Sequence, residues 1–213
     1  CIIYVAAALI ICIINIQKLP EVIGIILTDA FTGKAAAGGA IGTVMLMGIR
    51  RAVFSNEAGL GSASIAHAAV KTDYPVREGI VAAMGPLIDT LVVCTATASV
   101  IIMAGLYGDA AANMEGIQLT TTAFDSFFPG FGKYFISLSV FLFAFSTMIT
   151  WSYYGETGKT YLFGTRLTNV YRWVFVLFIY IGSITKLSNV LDFSDLMLGL
   201  MVIPNTIAIL FLA

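Results

Sequence analysis

Long apolar runs set the pattern of this chain, with short polar interruptions between them. A helix that crosses the hydrocarbon layer needs about 20 predominantly apolar residues. Cys1–Ile16 reads as the tail of one such helix, ended by Lys18 and Pro20. Glu21–Phe31 is shorter and mixed, the pattern of an amphipathic helix lying in the membrane interface. Lys34–Phe54 is built of small residues with many Gly and Met. Lys71–Glu78 is a polar loop containing Pro75, and Gly79–Leu106 is a long span with Pro86 and Asp89 inside it. Tyr107–Lys133 reads as a long loop whose middle, Leu119–Phe128, forms a short helix stopped by Pro129-Gly130. A loop of that length with its own helix is a candidate lid. Spans follow at Tyr134–Tyr154 and Val170–Ile184, and a last one starts at Met197.

One stretch breaks the pattern. Phe54–Val70, FSNEAGLGSASIAHAAV, is polar and rich in small residues, yet Ala35–Ile49 before it and Gly79–Leu106 after it are apolar. Unwound backbone in hydrocarbon strands N–H and C=O groups at a steep cost, so such a break belongs where it faces protein or a water-filled cavity. Gly59 and Gly61 can take φ > 0 and let a ligand come close to the backbone. Ser62 is a candidate N-cap for a short helix through Val70. The N-terminus of that half-helix would offer N–H groups to an anion, as the discontinuous helices of secondary transporters do for a substrate carboxylate. A re-entrant or interfacial connection, with small residues for tight helix packing, fits the bare pattern too.

Composition narrows the class. The 213 residues are 59% hydrophobic and 11% charged, with a mean hydropathy of +0.96, whereas a soluble domain carries about 25% charged residues. This is the composition of a polytopic, all-α membrane protein. The net charge of −1, with no basic block, gives nucleic-acid binding no support. Cys1, Cys12 and Cys94 lie in apolar runs without a CxxC pair and read as small buried hydrophobes. A single histidine, with neither HExxH nor GxSxG, argues against a His-based metal centre and against an intramembrane enzyme. Both ends of the chain fall inside apolar runs and no linker divides it. The expectation is one membrane domain over residues 1–213, a fragment lacking an N-terminal half.

Positive charges orient the spans. Lys71 and Arg77 mark one loop as cytoplasmic, and Lys159, Arg166 and Arg172 mark another. The long loop, with Asp109, Glu115 and Asp125 against Lys133, belongs outside, as does Lys186–Asp195. Trp151 and Trp173 lie towards span ends, where interfacial aromatics gather.

Several polar residues inside these spans are candidates for chemistry. Ser146 and Thr147 are adjacent hydroxyls in an aromatic run. They can back-bond to their own helix, or ligate a hard cation such as Na⁺ together with carbonyl oxygens. Thr147 and Trp151 are four apart and share a helical face, with Tyr154 three further on. A hydroxyl beside an indole wall suits a small amino acid, and ordinary helix packing is the alternative. Asn56 offers an amide to a substrate or ion. Arg51, like Arg50 before it, would be costly in lipid and needs a carboxylate or a cavity. Glu57 is its nearest candidate partner, and Glu57 can equally attract an ammonium group. His67 reads as a helix-contact donor more readily than a proton relay. Asp89, well inside a span, is a functional candidate by default; protonated acid, cation ligand and packing hydrogen bond all remain open.

The run Arg51–Ala63, RAVFSNEAGLGSA, continuing through Ile65-Ala66-His67-Ala68-Ala69, resembles the signature of the bacterial and archaeal sodium:alanine (glycine) symporter family. Further segments agree in the same order: Ala30–Gly33 with Ala35–Gly39, Ile88-Asp89-Thr90, Phe143–Thr147 and Trp151–Glu156. Two positions depart from the family pattern. Arg50-Arg51-Ala52 stands in place of one Arg followed by Gly, and Ser64 stands in place of Pro. The resemblance covers essentially the whole chain but only about the C-terminal half of a typical member. It implies the second half of a five-plus-five inverted repeat, leucine-transporter-like, with a discontinuous helix.

The resemblance also implies Na⁺-coupled uptake of alanine or glycine by alternating access, in the plasma membrane of a prokaryote, by a protein that works as a monomer. Substrate would be held by Asn56, Gly59, Gly61, Thr147, Trp151 and Tyr154. Na⁺ would be held by Ser146 and Thr147, closing a site against the other broken helix. No cofactor beyond the coupling ion is expected. A proton-coupled relative of the same fold is the nearest alternative, followed by a non-catalytic membrane subunit.

Overall fold

The computed structural model describes residues 1–31, 41–57, 59–108, 114 and 116–212. The small-residue segment 32–40 and the loop acids Asp109 and Glu115, to which the sequence assigns roles, lie outside the described residues. The described residues form helices and turns with no strand. In chain order the helices are α1 (Ile2–Ile14), α2 (Leu19–Phe31), α3 (Ile41–Ser55), α4 (Ser62–His67), α5 (Pro75–Ile88), α6 (Thr95–Met103), α7 (Gly116–Phe127), α8 (Gly132–Phe163), α9 (Thr168–Ile184) and α10 (Leu187–Leu212). A 3₁₀ turn, Ile16–Lys18, joins α1 to α2, and a π-helical segment, Asp89–Cys94, joins α5 to α6.

Three stretches are long and apolar enough to cross a membrane: Pro75–Met103, Gly132–Phe163 and Leu187–Leu212. Ile2–Ile14 and Ile16–Thr28 would together make a fourth, bent by 78° at the 3₁₀ turn. Pro20 stands in the first turn of α2, where its missing N–H costs nothing.

Several element boundaries differ from the sequence expectation, each for a physical reason. Pro75–Glu78 is the first turn of α5 rather than loop, because Pro is favoured at a helix start. Helix α7 begins at Gly116, three residues before the expected Leu119. Helix α8 continues nine residues past Tyr154, since a helix does not have to stop where its apolar run stops. Helix α10 begins at Leu187, so most of the expected outer loop Lys186–Asp195 is helical. Helix α9 has 17 residues, about 25 Å at 1.5 Å per residue, less than the roughly 30 Å of hydrocarbon.

The chain divides into two compact units. Cys1–Arg50 with Gly85–Phe145 forms the first, and Arg51–Met84 with Ser146–Ala213 forms the second. In the first, Ala8, Ile11 and Cys12 of α1 pack on Ala96 and Val100 of α6, with Ala123 and Phe124 of α7 and Ile136 of α8. Small residues let these backbones approach closely, which matters where lipid removes the hydrophobic drive for helix association. Tyr4 stacks on Phe124, meets Phe143 edge-on, and shares a 2.9 Å hydroxyl hydrogen bond with Thr97. Such interhelical bonds average about 0.6 kcal/mol in membranes. The turn from α7 to α8 is held by Asp125, whose carboxylate accepts from the backbone N–H of Gly130 and of Lys133. A Cβ on Gly132 would press on the backbone of Asp125, so that turn requires glycine.

In the second unit, α8 and α9 form a hairpin closed at Gly164 (φ 70°). Arg172 donates to both carboxylate oxygens of Glu156, at 2.9 and 3.0 Å. Lys159 donates to the Gly164 carbonyl and to the Thr168 hydroxyl. Gly155 leaves room for the Tyr171 ring, whose hydroxyl donates to the Ser152 carbonyl at 3.4 Å.

Candidate functional site

The break expected around Asn56–Gly61 is present. Helix α3 ends at Ser55 and helical structure resumes at Ser62. Between them the backbone turns through the left-handed region three times: Glu57 at φ 53°, Gly59 at φ 76° and Gly61 at φ 87°. A left-handed conformation costs a non-glycine residue roughly 1–2 kcal/mol, so Glu57 needs something to hold it there. That something is Ser62, fully buried, whose hydroxyl donates to the Glu57 carboxylate at 2.5 Å. The Glu57 carbonyl in turn accepts from the Leu60 N–H, and Leu60 is buried.

Two local expectations are corrected. Gly61, not Ser62, is the N-cap of α4, because the capping residue here must be left-handed and Ser62 already has helical geometry. The half-helix ends at His67, not Val70. Six residues make a weak dipole, so little anion attraction can be credited to α4 itself. Ser64, at the position where the family pattern has proline, donates its hydroxyl to the Gly61 carbonyl at 2.6 Å and ties the helix start by a different means.

Arg51 does not pair with Glu57. Its guanidinium donates to Asp195 of α10 at 3.2 Å. Asp195 is nine-tenths buried at its side chain while Arg51 is nearly half exposed. A second link joins α10 to the break itself: the Asn205 side-chain amide donates to the Gly59 carbonyl at 2.9 Å. Sequence reasoning missed Asn205. The signal available was an amide directly after Pro204 in an apolar helix.

Trp151 and Tyr154 lie together on α8, their rings edge to face with centroids 5.7 Å apart. Ser146 and Thr147, five and four residues before Trp151, are exposed on α8. The back-bonding open to them is made instead by Thr150, whose hydroxyl donates to the Ser146 carbonyl at 3.0 Å.

His67 accepts the packing role expected of it. Its Nδ1 lies 2.5 Å from the Glu78 carboxylate, so the pair staples α4 to α5 across the Ala68–Tyr74 turn. A cavity of about 540 Å³ beside them is lined by Ser64, His67, Thr72 and Glu78 among small apolar residues.

Asp89 belongs to the first unit. It opens the π-helical segment and lines a cavity of about 440 Å³ with Tyr4, Gly85, Val93 and Phe143. The Thr95 hydroxyl donates to the Thr90 carbonyl five residues back, at 3.1 Å. Single π turns inside α-helices recur at functional sites, and nothing in the polar pattern of Asp89–Thr97 distinguishes a π from an α turn. Cys1, Cys12 and Cys94 are free thiols, as the sequence suggests; Cys12 is buried, while Cys1 and Cys94 are exposed.

Three helices long and apolar enough to cross a membrane define a multi-pass membrane protein. The chain belongs to the sodium:alanine symporter family, whose pattern it matches over residues 1–213. It is 42% identical to the sodium/alanine symporter AgcS of Methanococcus maripaludis, over 99% of this chain and 46% of that protein. It is 39% identical to the probable sodium/glutamine symporter GlnT of Bacillus subtilis, over 100% of this chain and 44% of that one. It is 33% identical to the sodium/proton-dependent alanine carrier protein of Bacillus sp. PS3, over 98% of this chain and 51% of that one. The chain thus spans about half the length of the curated relatives it matches.

Proposed function

We propose that this protein is a secondary active transporter, not an enzyme, that couples Na⁺ entry to uptake of a small neutral amino acid, alanine or glycine, by alternating access. The observation that carries this reading is the opened backbone at Asn56–Gly61 within an apolar chain. Irregular backbone at membrane depth is tolerated where it lines a cavity, and transporters use it to hold substrate and ion. The substrate carboxylate rests on N–H groups around Gly59 and Gly61, with Asn56 supplying an amide. Thr147, Trp151 and Tyr154 form the wall that limits side-chain size. Ser146 and Thr147 supply hydroxyls to Na⁺, which favours oxygen ligands. The chain acts as the C-terminal half of a five-plus-five inverted repeat, one transport domain, working as a monomer in the plasma membrane of a prokaryote.

The test is uptake of radiolabelled alanine by the full-length protein in proteoliposomes. Replacing external Na⁺ with choline is expected to abolish accumulation. Uptake that persists unchanged in choline overturns Na⁺ coupling. Uptake in choline that follows an imposed proton gradient instead supports the proton-coupled reading, which the printed name of the Bacillus sp. PS3 relative favours.

A further inference from the structure

Two side-chain links tie α10 to the interrupted helix. Arg51–Asp195 closes just before the break, and Asn205–Gly59 closes within it. Asp195 and Asn205 are ten residues apart on α10, about 15 Å along its axis, so one helix grips the opened segment at two levels. The second grip has two sides. The Asn205 amide nitrogen donates to the Gly59 carbonyl at 2.9 Å. Its amide oxygen stands 3.0 Å from where a Cβ on Gly61 would be, the tightest of that position's contacts. Asn205 thus binds one glycine of the break and packs against the other. Pro204 directly precedes it, and a proline inside a helix removes the hydrogen bond to the carbonyl four residues back, here that of Leu200.

We infer that Asn205 is the positioning residue of the break: it fixes the Gly59 carbonyl on α10 and thereby directs the N–H groups of Gly59, Gly61 and Ser62. This rests on the transport reading for its functional consequence, but not for its structural one. A bound carbonyl oxygen cannot swing to repel a substrate carboxylate. With Asn205 gone, the peptide unit after Gly59 keeps only the bond from its Leu60 N–H to the Glu57 carbonyl, at 3.3 Å.

The experiment uses the full-length protein and two readouts. Hydrogen–deuterium exchange is followed in peptides covering 56–66 for wild type, Asn205→Ala and the volume-conserving Asn205→Asp. Loss of one hydrogen bond predicts about fivefold faster exchange there, with the α8–α9 hairpin unchanged. Alanine uptake at saturating Na⁺ is expected to show KM raised about fivefold with kcat held. Gly61→Ala, crowded by Asn205 in wild type, is expected to do less further harm in the Asn205→Ala background. Unchanged exchange at 56–66 in both variants overturns the inference, and so does a rise spread evenly over the whole protein. A local rise in a protein that shows no Na⁺-dependent uptake in wild-type form upholds the bracing role and removes the transport reading.

Discussion

Ser62 and Glu57 set the energetics of the break. A hydrogen bond to an ionised carboxylate is worth about 1.5–3 kcal/mol, enough to offset the roughly 1–2 kcal/mol of left-handed strain at Glu57. Ser62→Ala removes the donor and leaves the strain, so a loss of about 1.5–3 kcal/mol in stability is expected. Glu57→Gln keeps an acceptor but weakens it and should lose less. Thermal melting of the purified protein checks both the direction and the order. Trp151 makes a separate prediction about selectivity. A pocket discriminates an added methylene by only about 1–3 kcal/mol, so Trp151→Ala should let larger neutral amino acids compete at least roughly tenfold better against alanine uptake. Competition curves with serine, valine and glutamine measure it. The site of the break was legible in the sequence because Asn-Glu and Gly-x-Gly have no place in a lipid-facing helix. Its partners were not legible. Asp195 and Asn205 lie 144 and 146 positions from the residues they bind, and only packing brings them there. Along the chain Glu57 is the candidate carboxylate nearest Arg51, but the fold pairs Arg51 with Asp195.

Elements show the same division. Hydropathy located the apolar spans, because the bilayer imposes a minimum length. It could not locate helix ends, since polar helices continue beyond the membrane. Glu156 and Lys159 continue α8 and tie it to α9 and to the turn before it, in a region the apolar run had already left. Nor could it show the π segment at Asp89–Cys94, which changes helical register without changing composition. The short α4 is held less by its own six residues than by its staple to α5. His67→Ala or Glu78→Ala should free the Ala68–Tyr74 turn, increasing exchange and protease cleavage there several-fold while the α8–α9 hairpin stays protected. Because either substitution breaks the same pair, the double variant should be little worse than the single ones. Additive effects would mean that the two side chains act separately.

At the level of the whole molecule, charge and span length together dictate sidedness. Pro75–Met103, with 29 residues, and Gly132–Phe163, with 32, each suffice for one complete crossing. The first starts beside Lys71 and Arg77, and the second ends at Lys159 and Arg166. Two crossings return the chain to its starting side, so both basic clusters share a side, and the positive-inside rule makes it the cytoplasm. The α7 helix between them must then lie on the outer side. Single cysteines at Asp73 and Thr165 should resist a membrane-impermeant maleimide added to intact cells and react after permeabilisation, whereas a cysteine at Thr120 should react from outside. The native Cys1, Cys12 and Cys94 are replaced by serine first. Labelling of position 120 from inside, or of 73 and 165 on opposite sides, would mean that one of the two long helices does not cross. The broken helix could not then open onto both faces in turn, and alternating access through this site would be ruled out.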